Sequence, residues 1–113
     1  MDLSEANLGE VNLAGADLSQ ANLREADLNH ANLSKARLVG ADLSGANLAS
    51  ADLSDADLRE ANLHKAYLTG ANLAGANLRG AVLFEAHLNW AILEGALITP
   101  EQLRQANMEP DPL

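Results

Sequence analysis

The side chains able to do chemistry in this chain are His30, His64 and His87, sixteen Asp and Glu residues, and serines scattered between them; cysteine is absent. Histidines with carboxylates are the usual donors for a divalent metal. Two carboxylates in a dry pocket make a general acid and base, and a serine beside a histidine makes an acyl-transfer nucleophile. Each of these chemistries needs convergence, so the spacing of the residues matters more than their number. The glycines do not form a phosphate-binding loop: Gly15, Gly40, Gly45, Gly70, Gly75, Gly80 and Gly95 recur at multiples of five instead of clustering. Without cysteine there is no thiolate or disulfide chemistry.

Composition narrows the function classes further. Sixteen acids against seven bases give a formal charge of −9, which disfavours nucleic acid and anionic membrane surfaces as partners. Hydrophobic residues make up 48% of the 113 and aromatics 3%, so the apolar content is almost entirely leucine and alanine. A core built from these is thin. The N-terminal MDLSEANLGE has neither a basic segment nor an apolar run, and no stretch approaches the roughly 18 apolar residues of a membrane span. A cytoplasmic protein of one structural unit is the expectation.

The elements that must position these side chains are set by an internal repeat. Leucine occupies every fifth position from Leu3 to Leu93, and Ile98 completes the series. The residue two before it is alanine from Ala6 to Ala96, with Val11 the exception. The residue immediately before it is Asp or Asn at nearly every repeat as far as Asn77, and the two after it are variable. A period of five fits neither the helical 3.6 nor the strand period of 2. In a helix, five residues advance about 500°, which would spread leucine around the whole surface. Asn, Asp, Ser and Gly returning every few residues favour turns. The chain therefore turns a corner in each repeat, with leucine and alanine inside and the remaining three positions outside.

ADLSG, ANLAS, ADLSD, ADLRE and ANLHK are five successive units of this pattern, residues 41–65. In them the sequence resembles the pentapeptide-repeat proteins, over residues 2 to 98. The resemblance implies an all-β solenoid, a right-handed quadrilateral β-helix of about five coils with four pentapeptides in each. Leucines would then stack as Leu3, Leu23, Leu43, Leu63 and Leu83 on one face, with three equivalent stacks, and coils would lie about 4.8 Å apart. In that register no Asp lies directly over another Asp in the column before leucine, and Arg37 falls between Asp17 and Asp57. The three histidines occupy different positions on two faces, too scattered for a metal. His87 falls on Tyr67, which predicts ring packing. No catalytic, cofactor-binding or metal-binding residue is assigned, and the chain is read as no enzyme.

The outward pattern changes near the end. The residues before leucine become Val82, His87, Ile92 and Leu97, and Phe84 and Trp90 occupy other outward positions. The chain divides into residues 1–98 as the β-helix and 99–113 as a capping helix and tail. In TPEQLRQANMEPDPL the five-residue rhythm breaks: Thr99 suits an N-cap, Pro100 the first helical position and Gln102 the capping-box position. A short helix over about 100 to 107 is expected, with Leu103, Ala106 and Met108 over the open end, and Pro110 and Pro112 preventing its continuation.

Such a cap hides edges and core, and the same residues are the candidate partner or dimer surface: Tyr67, Val82, Phe84, His87, Trp90, Ile92, Leu97 and Leu103. The resemblance adds that relatives pair through their C-terminal ends. The functional expectation is a non-enzymatic structural or protein-interaction module. The alternative, also implied only by the resemblance, is a DNA-mimicking inhibitor or protector of DNA gyrase. Residues 1 to 98 carry 13 acids and 6 bases, a net −7. Spread over coils about 4.8 Å apart, that is about half the linear charge density of duplex DNA.

Overall fold

The computed structural model describes residues 1–108, and the helix stop expected at Pro110 and Pro112 lies outside them. Each residue before a leucine forms a parallel bridge with the residue twenty later, from Asp2 with Asn22 to Asn77 with Leu97. One coil is thus four pentapeptides. We number the faces in chain order: the first holds residues 81–85 of the last coil, the second 86–90, the third 91–95 and the fourth 96–100. Strand structure is confined to single bridges because each straight side is short and the next corner interrupts it.

Backbone hydrogen bonding explains why the period is five. In the pentapeptide from Ala41 to Gly45 and in its neighbours, the leucine N–H donates to the next coil, as Leu43 does to Asn62 at 2.7 Å. The second corner residue does the same, Gly45 to His64 at 2.9 Å. The residue before leucine donates backward, Asp42 to Ala21 at 3.0 Å, and the alanine closes the turn, Ala46 to Leu43 at 3.0 Å. Four of the five N–H groups are used in this way, leaving only the first corner residue.

The Asp or Asn before leucine supplies that fifth acceptor. Its Oδ1 takes the N–H two residues on, as Asp42 takes Ser44 at 3.0 Å and Asn47 takes Ala49 at 3.0 Å. This Asx bond occurs at every Asp or Asn in the column from Asp2 to Asn77. Short acceptors at that spacing are what the turn requires. The column is therefore a backbone cap as well as an outer surface.

Every corner from Glu5 to Gly95 has its second residue in the left-handed region. Glycine is not a condition of the turn, since Glu, Lys, His, Asp and even Trp90, at φ 66°, adopt it. At Gly40 and Gly80 the ends of the Gln20 and Glu60 side chains, leaning up from the coil below, occupy the space a Cβ would take, and being flexible and exposed they can swing aside.

The interior is a dry column in which every leucine from Leu23 to Leu88 has no exposure. The ends differ. Leu3, Leu8, Val11 and Leu13 in the first coil, and Leu93, Ala96 and Ile98 in the last, are only partly buried. Helix α1, Pro100–Gln105, lies over the first face, begun by Thr99 and the capping box with Gln102. It is shorter than the sequence suggests, because the chain leaves it to rejoin the ladder: Asn107 bridges His87, and its N–H donates to Ala86 at 2.7 Å. The five-residue register is consequently kept through the helix. Leu103 and Ala106 pack on the core in the leucine and alanine positions, whereas Met108 is 44% exposed.

Candidate interaction surface

The large hydrophobic side chains that the fold leaves in solvent are concentrated at one end. Among the described residues, apart from Met1, they are Tyr67, Val82, Phe84, Trp90, Ile92, Leu97 and Met108. For all of them but Met108, which falls in the leucine position beyond the last complete coil, exposure follows from the bridging register: the position before leucine and both corner positions point out of the tube, so an apolar residue there has no core to enter.

The register also distributes them. Val82 and Phe84 sit on the first face, Tyr67 and His87 on the second, Ile92 on the third and Leu97 on the fourth, with Trp90 at the corner between second and third. The sequence candidates thus form a collar around the last coil, with no flat face that carries all of them. Within it Tyr67 and His87 stack with ring centroids 4.9 Å apart and planes 1° from parallel. Trp90 and Ile92 are neighbours across a corner, and Trp90 is the most exposed of the set at 77%. Leu103 is the correction: it is half-buried on the underside of α1 and belongs to the cap, because its position in the register points inward.

The cap covers half of the tube's end. Helix α1 lies on the first face and Ala106 and Asn107 on the second, and Leu83 and Leu88 below them are fully buried. Among the described residues none lies over the third and fourth faces at residues 91–98. There a shallow apolar notch is lined by Arg79, Ala96, Leu97, Ile98, Thr99 and Gln102. Gln102 joins the two halves. Its Oε1 accepts the Thr99 N–H at 2.9 Å, and its Nε2 donates to the carbonyls of Leu78 at 2.7 Å and Ala81 at 3.0 Å. The capping-box spacing reveals the first bond in the sequence, but nothing local reveals the two across the coil.

A second cleft, of about 620 Å³, lies between the Tyr67 and His87 rings and the chain leaving α1, with Lys65 and Glu85 on its rim. Among the described residues no group of His, Asp and Glu is placed to hold a metal ion. Asp42 and Asp57 are surface carboxylates with lowered pKa. At Asp57 the cause is Arg59, which grips it with Nε on Oδ1 at 2.8 Å and Nη2 on Oδ2 at 2.7 Å. Arg37 accordingly pairs with Asp17 alone, at 3.6 Å, and does not bridge Asp17 and Asp57 by contact. Sequence reasoning also missed Asn89, buried at a corner where Thr69 donates to its Oδ1 at 3.2 Å.

No helix among the described residues is long and apolar enough to cross a membrane. The pentapeptide-repeat family model matches residues 2–38, 26–64, 36–73 and 61–99. Among solved structures, HetL, a pentapeptide repeat protein involved in heterocyst differentiation regulation in the cyanobacterium Nostoc sp. strain PCC 7120, is 37% identical with a TM-score of 0.81. The match takes in 95% of this chain and 48% of HetL, so the chain spans about half of HetL's length. A pentapeptide repeat protein of the Arabidopsis thaliana thylakoid lumen is 33% identical, TM-score 0.73, over 89% of this chain and 70% of its own. Rfr23 from the cyanobacterium Cyanothece 51142 is 39% identical, TM-score 0.56, over 82% and 64%. No curated protein matches the chain. With its whole ladder accounted for by a repeat of five and that repeat matched from end to end, the chain belongs to the pentapeptide-repeat family and is a right-handed quadrilateral β-helix.

Proposed function

We propose that the chain is a rigid, non-enzymatic protein-interaction module whose contact residues are the apolar side chains ringing the last coil. The observation that carries this is their concentration: Val82, Phe84, Trp90, Ile92 and Leu97 are all exposed within one coil, while the inner coils bury their apolar content almost completely. Exposed apolar clusters of this kind mark partner surfaces. The outer positions elsewhere are mostly polar or small and vary without disturbing the ladder. A regulatory role, of the kind named for HetL, is one that such a module could serve.

Affinity capture from source lysate tests the reading, with the native chain and a Trp90→Glu variant side by side. Proteins retained by the native chain and lost by the variant support it. Equal recovery moves the contact to the polar faces, and recovery of no partner overturns the module itself.

Imitation of duplex DNA toward DNA gyrase draws less support. Asn or Arg separates the Asp residues in the face columns, and on the fourth face Arg37, Arg59 and Arg79 balance Asp17, Asp57 and Glu60. A supercoiling assay is expected to show no inhibition at micromolar protein; inhibition there would restore that role.

A further inference from the structure

The cleft beside α1 is built from two columns of the ladder. On one bank stand the second corner residues Lys65 and Glu85 of the first face and, past α1, Gln105 in the same column; on the other stand Tyr67, His87 and Asn107 of the second face. Ala106 lies between the banks in the alanine position, and the exposed Met108 lines the cleft beyond it. Both banks are held by main-chain bonds: Lys65 N–H donates to Phe84 at 3.0 Å, Glu85 N–H to Gln105 at 2.9 Å and Asn107 N–H to Ala86 at 2.7 Å. The walls are therefore set before anything binds. Their volume of about 620 Å³ falls within the roughly 300–1,000 Å³ of small-molecule sites.

An unpaired couple of charges distinguishes this corner. Adjacent coils are joined elsewhere by ion pairs, Arg24 with Asp42 and Arg37 with Asp17, each at 3.6 Å. Lys65 and Glu85 are likewise opposite in charge and one coil apart, about 4.8 Å along the axis. Yet among the described residues neither has an ion-pair partner. Both stand exposed in the left-handed corner conformation, at φ 59° in each.

The opposite bank changes character at the same height. Its lower coils carry Asn7, Asp27 and Asn47, whereas the upper two carry the Tyr67 and His87 rings, stacked with planes 1° from parallel. The rings hold each other in place and make a rigid aromatic wall across from the two charges.

One kind of small molecule satisfies all three features. A carboxylate answers Lys65 and an ammonium answers Glu85, while a ring carried on the carbon between them packs on the aromatic wall and the Met108 thioether. We propose that the cleft is a binding site for an aromatic α-amino acid, its carboxylate toward Lys65, its ammonium toward Glu85 and its ring against Tyr67 and His87. The site goes beyond the interaction-module reading and uses none of the residues that carry it. Because both charges are exposed, each contributes little, and affinity in the millimolar range is expected.

An amide proton–nitrogen NMR titration of the full chain with L-phenylalanine tests the site. Saturable shifts are expected at Lys65, Tyr67, Glu85, His87, Gln105 and their neighbours. 2-Phenylethylamine lacks the carboxylate and 3-phenylpropanoate lacks the ammonium, and each is expected to bind about threefold more weakly or worse. Lys65→Gln is expected to remove the preference for phenylalanine over 2-phenylethylamine, and Glu85→Gln the preference over 3-phenylpropanoate. Gln20 holds the same left-handed corner at φ 64°, so both variants are expected to keep the fold, which the same spectra report. Absence of saturable shifts up to tens of millimolar overturns the proposal. Saturation elsewhere on the chain, equal affinity for the three phenyl compounds, or preferences that survive both substitutions overturn it as well.

Discussion

Gln102 donates its side-chain amide to the main-chain carbonyl of Leu78 at 2.7 Å, twenty-four residues earlier, and to Ala81 at 3.0 Å. The same side chain accepts the Thr99 N–H that begins α1. The cap is thus tied to the coil beneath it by one residue. Gln102→Ala removes the capping-box bond and leaves two buried carbonyls with fewer donors, and is expected to cost about 2 kcal/mol. Urea unfolding, with hydrogen exchange at Leu103 and Ala106, reads the effect; an unchanged midpoint and unchanged exchange would count against this role.

The Asx bond makes a different prediction along the wall. Asn47→Ala removes the acceptor of the Ala49 N–H and is expected to cost about 1 kcal/mol in thermal or urea unfolding. Asn47→Asp keeps the acceptor but sets a carboxylate directly over Asp27, so it is expected to stay within about 0.5 kcal/mol of the native chain only at high salt, where that repulsion is screened. Equal losses for both would show that the amide nitrogen, and not Oδ1, is what matters at this position.

Burial predicts a gradient from the ends inward. Leu58 has no exposure, and Leu58→Ala is expected to cost about 3 kcal/mol through the cavity it leaves. Leu8 lies in the open first coil, and Leu8→Ala is expected to cost less than half as much. The check is a pair of urea curves; equal costs would mean that the first coil is as tightly closed as the third.

Acid should weaken the fold. Burial raises the pKa of Asp42, but the Ser44 hydroxyl and N–H and the nearby Arg24 outweigh it, so the net value is lowered from 3.8. Asp57 is lowered from the same value, chiefly by its hydrogen bond from Arg59. For groups lowered on folding, stabilisation is complete above the unfolded value and is lost as pH falls through the folded one. Stability is therefore expected to be level at neutral pH and to decline below about pH 4. Asp42→Asn retains the Oδ1 acceptor without the titration and should flatten part of that decline; an identical acid profile would assign it to other carboxylates.

Residue order by itself determined the repeat, the inward leucines and alanines, the start of the helix at Thr99 and Pro100, and the Tyr67–His87 column, because each comes from a fixed spacing read against the geometry of one turn. The Asx caps were legible too, in the two-residue step from Asp42 to Ser44, yet reading that column as exterior surface alone concealed them. Other relations required the tertiary structure. Asn107 returns to the ladder above His87, Gln102 reaches Leu78, and the apolar residues from Val82 to Leu97 encircle the tube with no one face carrying them all. The reason is physical: a pentapeptide dictates its own corner, but which end groups remain unpaired, and which exposed side chains meet, depends on how a coil closes upon the residues twenty positions away.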